Sequence, residues 1–332
     1  MLMPPSRIVT LPAALRDLRS GSVKSRVLAA DVLGDVAGDD RPAALEGLRA
    51  ALEDDIAEVR AEAATSLGVQ RDAGAVAGLI KRLDDGHPVV RQAAAIALGT
   101  IGDGQAFPPL AAALREGPAD LRFQAATSLA EIDPVAAFTP LVAALGDPDP
   151  QVVAAVALGL GATGDPRAPG HLARLLEHEA AAVRFDAGYA LAQLRDRRGR
   201  AALEAGLTDG GRDWDAVCAL EELGDPAATP ALAAVLTRRG TTPPVQTRAA
   251  GAILVLAPDG PQAAAARAYL LAALGHRKVD VRGLAVERLG AAGGAWAIAP
   301  LTALRGSRKG RDLDEAIAAA LTAIAARTEA TR

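Results

Sequence analysis

The chain has 332 residues and a formal net charge of −4, with 50% hydrophobic residues but only 2% aromatic ones. A core limited to Ala, Leu, Val and Ile favours helices that approach closely, and the aromatic enrichment typical of strands is missing. The single cysteine, Cys218, excludes an intramolecular disulfide framework, and net acidity argues against a dedicated nucleic-acid binder.

The chain opens with MLMPPSRIVTLPAALRDLRS, where two prolines and early charges replace the apolar run that a signal peptide needs. Residues 1–40 read as an N-terminal capping repeat, with VKSRVLAADVLGDVAGD centred on Arg26. Residues 41–196 then carry a regular period of 31 residues. EVRAEAATSLGVQRD, VVRQAAAIALGTIGD, DLRFQAATSLAEIDP, QVVAAVALGLGATGD and AVRFDAGYALAQLRD align on a column at Arg60, Arg91, Arg122, Val153 and Arg184. Leu67, Leu98, Leu129, Leu160 and Leu191 follow seven places later. Asp72, Asp103, Asp165 and Asp196 stand twelve places later, with Asp133 one place early. Asp54, Asp85, Glu116, Asp147 and His178 stand six places before the column. Segments such as AGAVAGLIKRLDDG and PGHLARLLEH lie between the copies, so each repeat reads as helix A, turn, helix B, turn. Residues 197–332 diverge, with columns expected at Asp213, Arg248, Arg282 and Asp314. The longest apolar run, Val152 to Ala162, falls well short of the roughly 20 residues that span a bilayer. No membrane span is expected, and a cytoplasmic location is the default.

HPVVRQAAAIALGTIGD carries the clearest family likeness. It resembles the HEAT repeat, in particular the bacterial type similar to phycobilin-lyase-like repeats. The resemblance covers roughly residues 20–325 and implies an all-α fold: one α-solenoid over 1–332, a right-handed superhelix of about nine or ten helix pairs with the B helices on its concave side. It also implies a polar ladder pairing Arg60 with Asp54, Arg91 with Asp85 and Arg122 with Glu116.

At 100° per residue, places three, four, seven and ten after the column face the core. Places two, five, six and nine face outward. In the Val153 helix the outward set is Ala155, Leu158, Gly159 and Ala162, a bald floor between longer neighbours. Those neighbours include Gln124, Thr127, Ser128 and Glu131 on one side and Asp186, Tyr189, Ala190 and Gln193 on the other, with Ile96 and Thr100 beyond. A partner-binding face is expected at Ile96, Thr100, Gln124, Thr127, Glu131, Leu158, Asp186, Tyr189 and Gln193. Phe123, Phe185 and Trp214, one place after their columns, read as inter-repeat packing, and Cys218 as an outward, unreactive thiol.

Residues 1–166 hold 14 Lys and Arg against 22 Asp and Glu, whereas residues 167–332 hold 22 against 18. The late turns form a basic edge at Arg238, Arg239, Arg277, Lys278, Arg308, Lys309 and Arg311. His178 and His276 occupy turn slots, so no metal or catalytic constellation and no cofactor is expected. The expected function is a non-catalytic scaffold that binds a protein segment on the B-helix face, its partner unidentified. A phycobilin-lyase-like chromophore-handling protein is the alternative. A second is a homo-oligomer assembling head to tail through complementary charged edges.

Overall fold

The computed structural model describes residues 10–330, so residues 1–9 of the expected capping repeat lie outside the described residues. The described chain holds twenty α-helices and no strand, arranged as ten consecutive A/B pairs. Contacts group it into two bodies, residues 1–171 and 172–332.

The N-terminal body contains α1 (Leu11–Ser20) and α2 (Val23–Gly34), α3 (Arg41–Ala51) and α4 (Ala57–Val69), and α5 (Val76–Arg82) and α6 (Pro88–Ile101). It continues through α7 (Phe107–Glu116) and α8 (Ala119–Ile132) to α9 (Pro134–Ala143) and α10 (Pro150–Ala162), and the body boundary falls inside α11 (Ala168–Leu175). The C-terminal body holds α12 (Ala181–Gln193), α13 (Arg200–Gly206), α14 (Asp213–Leu223), α15 (Thr229–Thr237) and α16 (Pro243–Leu256). It ends with α17 (Ala263–Ala273), α18 (Val279–Ala292), α19 (Ile298–Arg305) and α20 (Asp314–Ala330). Even-numbered helices are the B helices.

The repeated residues explain the repeated breaks. Asp72, Asp103, Asp165, Asp196 and Asp225 each accept the N–H two residues onward, and Asp133 does the same for Val135 and Ala136. Each thereby caps the next A segment. The residue just before this aspartate is left-handed in five repeats: Gly102, Gly164 and Gly224, but also Arg71 at φ 48° and Arg195 at φ 58°. Glycine adopts that conformation freely, whereas the two arginines are strained.

Leu67, Leu98, Leu129 and Leu160 are fully buried, as are Ala63, Ala94, Ala125 and Val156. Successive B helices meet through small residues. A Cβ on Gly68 would lie 2.9 Å from Ala97 Cα, and one on Gly99 would lie 2.9 Å from Ser128 Cβ. Phe107, Ala111, Leu114, Thr139 and Pro140 line a groove of about 450 Å³ between α7 and α9.

The polar ladder exists, but it runs between repeats. Arg60 donates from Nε and Nη2 to Asp85 at 2.9 and 2.8 Å, and from Nη1 to the Asp54 carbonyl at 2.7 Å. Arg122 grips Asp147 the same way, at 2.7 and 2.8 Å, and its Nη1 donates to the Gly117 carbonyl. Arg26 reaches Asp54 at 2.8 Å. Arg91 holds the Asp85 carbonyl and, across to the next repeat, Asp120 at 2.9 Å. The expected same-repeat side-chain pairs are therefore corrected. Each turn aspartate closes its own turn, as Asp54, Asp85 and Asp147 do on the N–H groups of Ile56, His87 and Asp149, and its carboxylate serves the preceding repeat. Glu116 instead pairs on the surface with Arg115. Asp147, opposite no arginine in its own repeat, is satisfied by Arg122.

The register of α16 also shifts: its column is Gln246, not Arg248. Ala249, Ala250 and Ile253 are fully buried at the third, fourth and seventh places after Gln246. Its amide donates to the Val235 and Leu236 carbonyls, as a column arginine does to its own turn. The helix starts at Pro243, three residues before the column, the same offset as α6 and α10.

Candidate docking face and basic turn edge

In the N-terminal body the outward face of the B layer is narrower than the helical period implies. Ser128 is buried and donates to the Ala95 carbonyl at 2.9 Å, and a Cβ on Gly159 would lie 2.8 Å from the Ala126 carbonyl oxygen. The sixth place after the column thus faces the preceding B helix and is closed. Ala155 is buried as well, so the bald floor is reduced to half-buried Leu158 and exposed Ala162. The open rows are the fifth and ninth places, one helical turn apart.

Ile96 is 48% exposed on α6, and Thr100 beside it donates its hydroxyl to the Ile96 carbonyl at 3.0 Å. On α8, Gln124 and Thr127 are half-buried and satisfied by each other: the amide donates to the Thr127 hydroxyl at 3.1 Å, which donates to the Gln124 carbonyl at 2.8 Å. Glu131 is exposed and lies across Gly99 of the neighbouring helix. Two exposed apolar residues of the B helices were not singled out from the sequence: Val69, 67% exposed in the ninth-place row, and Leu28, exposed at the second place. Their signal was available, since the register places them nine and two residues after Arg60 and Arg26. Burial pushes the Glu62 carboxyl upward, and the Asp31 charge adds to that. The only basic residues of α4, α6, α8 and α10 are Arg60, Arg91 and Arg122, all committed to the ladder. The open face of these helices is apolar with acidic points.

In the C-terminal body Asp186 and Tyr189 are half-buried and Gln193 is exposed. Burial raises the Asp186 carboxyl, opposed by Arg212 and assisted by Asp215. Burial also raises the Tyr189 hydroxyl, with Glu222 and Asp215 contributing. Beyond them lies a charge cluster that the sequence did not signal. Arg288 donates to Glu221, Arg248 approaches Glu221 at 3.3 Å, and Glu287 stands 3.8 Å from Arg288. Arg288 lies across Gly251, where a side chain would collide with it. The Arg288–Glu221 pair is separated by 67 residues, so no local pattern could announce it.

Of the three aromatics read as packing, only Phe185 is buried. Phe123 and Trp214 are partly exposed, and Arg248 sits 5.9 Å from the Trp214 ring. These two emerge at the open edge of their helices, where packing leaves them incompletely covered. Cys218 is half-buried, and burial, more than nearby carboxylates, holds its thiol pKa up. His178 and His276 act as turn residues: each Nδ1 accepts an N–H two residues onward, from Ala180 and Lys278, at 3.1 Å. His171 packs edge-on against Phe138. Among the described residues no helix is long and apolar enough to cross a membrane.

The basic edge separates into two groups. Arg238 donates to the Leu207 carbonyl and Lys309 to the Gly275 carbonyl, each binding the C-terminal end of the preceding A helix. Arg239, Arg277, Lys278, Arg308 and Arg311 are exposed. The early acidic edge, by contrast, is largely neutralised within the body, since Asp54, Asp55, Asp85, Asp120 and Asp147 all pair with arginines.

Comparison with known proteins fits this geometry. A model described as HEAT repeats matches residues 11–99, 45–130, 107–192 and 139–215, and one described as the PBS lyase HEAT-like repeat matches 214–238. A search of curated protein sequences returned no significant match. Among solved structures, the CpcE–CpcF complex of phycocyanin lyase from Nostoc sp. PCC7120 is 25% identical over 81% of this chain and 96% of its own, with a TM-score of 0.44. Human deoxyhypusine hydroxylase is 25% identical over 84% and 94%, with a TM-score of 0.35. Kap95p, from a complex with RanGDP, aligns over 96% of this chain and 52% of its own at 12% identity, with a TM-score of 0.56. The repeat matches run through more than half of the sequence, and the chain belongs to the HEAT-repeat family.

Proposed function

We propose that the protein is a non-catalytic scaffold that docks a partner protein segment on the outward face of its B helices. The exposed Ile96, on a layer of helices packed through small residues, carries this reading. Large apolar side chains left open on a rigid, preformed surface are what a docked segment covers, and such anchors dominate binding energy. Half-buried Leu158 continues the fifth-place row of Ile96, Val69 adds an apolar point in the ninth-place row, and Glu131 and Glu62 set the charge. The complementary partner carries an apolar anchor and positive charge. Asp186, Tyr189 and Gln193 form a second patch of similar chemistry in the C-terminal body.

The test compares wild type with Ile96→Arg and Leu158→Arg in affinity capture from native lysate, with thermal melts of all three. Loss of one specific captured protein by Ile96→Arg, at an unchanged melting temperature, supports the proposal. An identical catch from wild type and Ile96→Arg refutes it.

A further inference from the structure

The last two A–B turns of the C-terminal body hold a cation without its counter-charge. Arg282 is the column residue of α18 and is only 6% exposed. Its guanidinium donates to three backbone carbonyls: Nη1 to His276 at 2.9 Å and Arg277 at 3.0 Å, and Nε to Lys309 at 3.2 Å. In the N-terminal body the equivalent Nε and Nη2 of Arg60 and Arg122 chelate a carboxylate of the following turn. At Arg282 no carboxylate of the described residues lies within ion-pair distance. The Lys309 carbonyl replaces one carboxylate oxygen, and Nη2 has no partner among the described residues and stays open to solvent, where an incoming carboxylate can reach it.

The surroundings deepen the deficit. Arg277, Lys278, Arg308 and Arg311 are exposed in these two turns, and their side chains make no ion pair among the described residues. Contact between the turns is direct, since Arg282 binds the Lys309 carbonyl and Lys309 Nζ reaches back to the Gly275 carbonyl at 2.6 Å. Asp280 and Asp312 are the acids there, and Asp314 is held by Arg305.

We propose that this pair of turns seats an acidic segment of a partner protein, one of whose carboxylates completes the contact that Arg282 lacks. The ladder itself argues for a carboxylate, because a side-chain carboxylate fills the corresponding position against Arg26, Arg60, Arg91 and Arg122. Guanidinium and carboxylate match as planar, two-point partners. This seat is independent of the B-helix face and calls for the opposite charge.

A fluorescein-labelled oligoglutamate peptide serves as the probe, read by anisotropy on the full chain at low salt. Inorganic phosphate and a single-stranded oligonucleotide serve as competitors. The wild type binds the peptide, and affinity falls as salt is raised. Arg277→Glu with Arg308→Glu weakens binding by about tenfold or more, whereas Arg16→Glu with Arg71→Glu, the same change in net charge elsewhere, leaves it within about twofold. Both reversed pairs are exposed, and thermal melts confirm that each variant is folded. Three results would overturn the proposal: no peptide binding by the wild type, equal losses in both variants, or an oligonucleotide or phosphate that binds more tightly than the peptide.

Discussion

The inter-repeat ladder makes a prediction that separates it from the pairing expected within a repeat. Asp147 accepts two hydrogen bonds from Arg122 at 2.7 and 2.8 Å, with side-chain exposures of 17% for the arginine and 7% for the aspartate. It also accepts the Asp149 N–H at 2.9 Å. Asp147→Ala leaves a mostly buried guanidinium with only the Gly117 carbonyl and removes a turn closure. Breaking a buried pair costs about 3–5 kcal/mol and an exposed one under about 1 kcal/mol; this pair is nearer the buried limit, so about 2–3 kcal/mol is expected. Glu116→Ala should cost under about 0.5 kcal/mol, because that carboxylate is well exposed and pairs only with Arg115. A double-mutant cycle of Arg122→Met with Asp147→Ala, read by urea unfolding at 222 nm, should give a coupling of about 1.5–2.5 kcal/mol. Coupling below about 0.5 kcal/mol, or a Glu116→Ala cost equal to that of Asp147→Ala, would mean that Arg122 and Asp147 do not join the repeats in solution.

Other substitutions and pH changes have equally definite outcomes. The Asp147 carboxyl is lowered by its hydrogen bonds from Arg122, so its stabilisation is complete above the unfolded value near pH 4 and is lost as pH falls through the lower folded value; the melting temperature should hold from neutrality to about pH 5 and drop below about pH 4. Asp186 is shifted the other way by burial, so its charge opposes folding above the raised folded value: Asp186→Asn should raise the melting temperature at pH 7, with the gain shrinking as pH falls towards about 4. Arg71→Gly removes left-handed strain of about 1–2 kcal/mol against a glycine entropy cost of about 0.5–1 kcal/mol, so denaturation should show a net gain of about 0.5–1 kcal/mol. Gly68→Ala gains about 1 kcal/mol of helix propensity but forces a Cβ to 2.9 Å from Ala97 Cα; overpacking at about 1–3 kcal/mol wins, and calorimetry should show a lower melting temperature.

Much of the architecture was legible because it is written in a repeat. The leucine seven places after each column residue is core wherever the period is regular, and the aspartate at the end of helix B caps the next A segment at every copy from Asp72 to Asp225. Within one repeat, however, helical periodicity cannot tell which outward side meets a neighbouring B helix. That is why Ser128 and Gly159 read as open but are closed. The same limit misassigned the ladder. Spacing put Asp54 close to Arg60 in the chain, whereas stacking puts Asp85 against it in space. Phe123 and Trp214 show the reverse error, since their size suggested packing at an edge that leaves them partly exposed. The Glu221, Arg248 and Arg288 cluster depends on three helices meeting at distant sequence positions, which no local motif records.

Site-specific photocrosslinking tests the scaffold reading most directly. A photoreactive residue is placed at Ile96 on the B-helix face, and separately at Val135, 79% exposed at the start of α9. One partner protein should crosslink through position 96, position 135 should not trap it, and Glu131→Lys should weaken the crosslink. Equal trapping at both positions, or trapping at 135 alone, would contradict docking on the B-helix face.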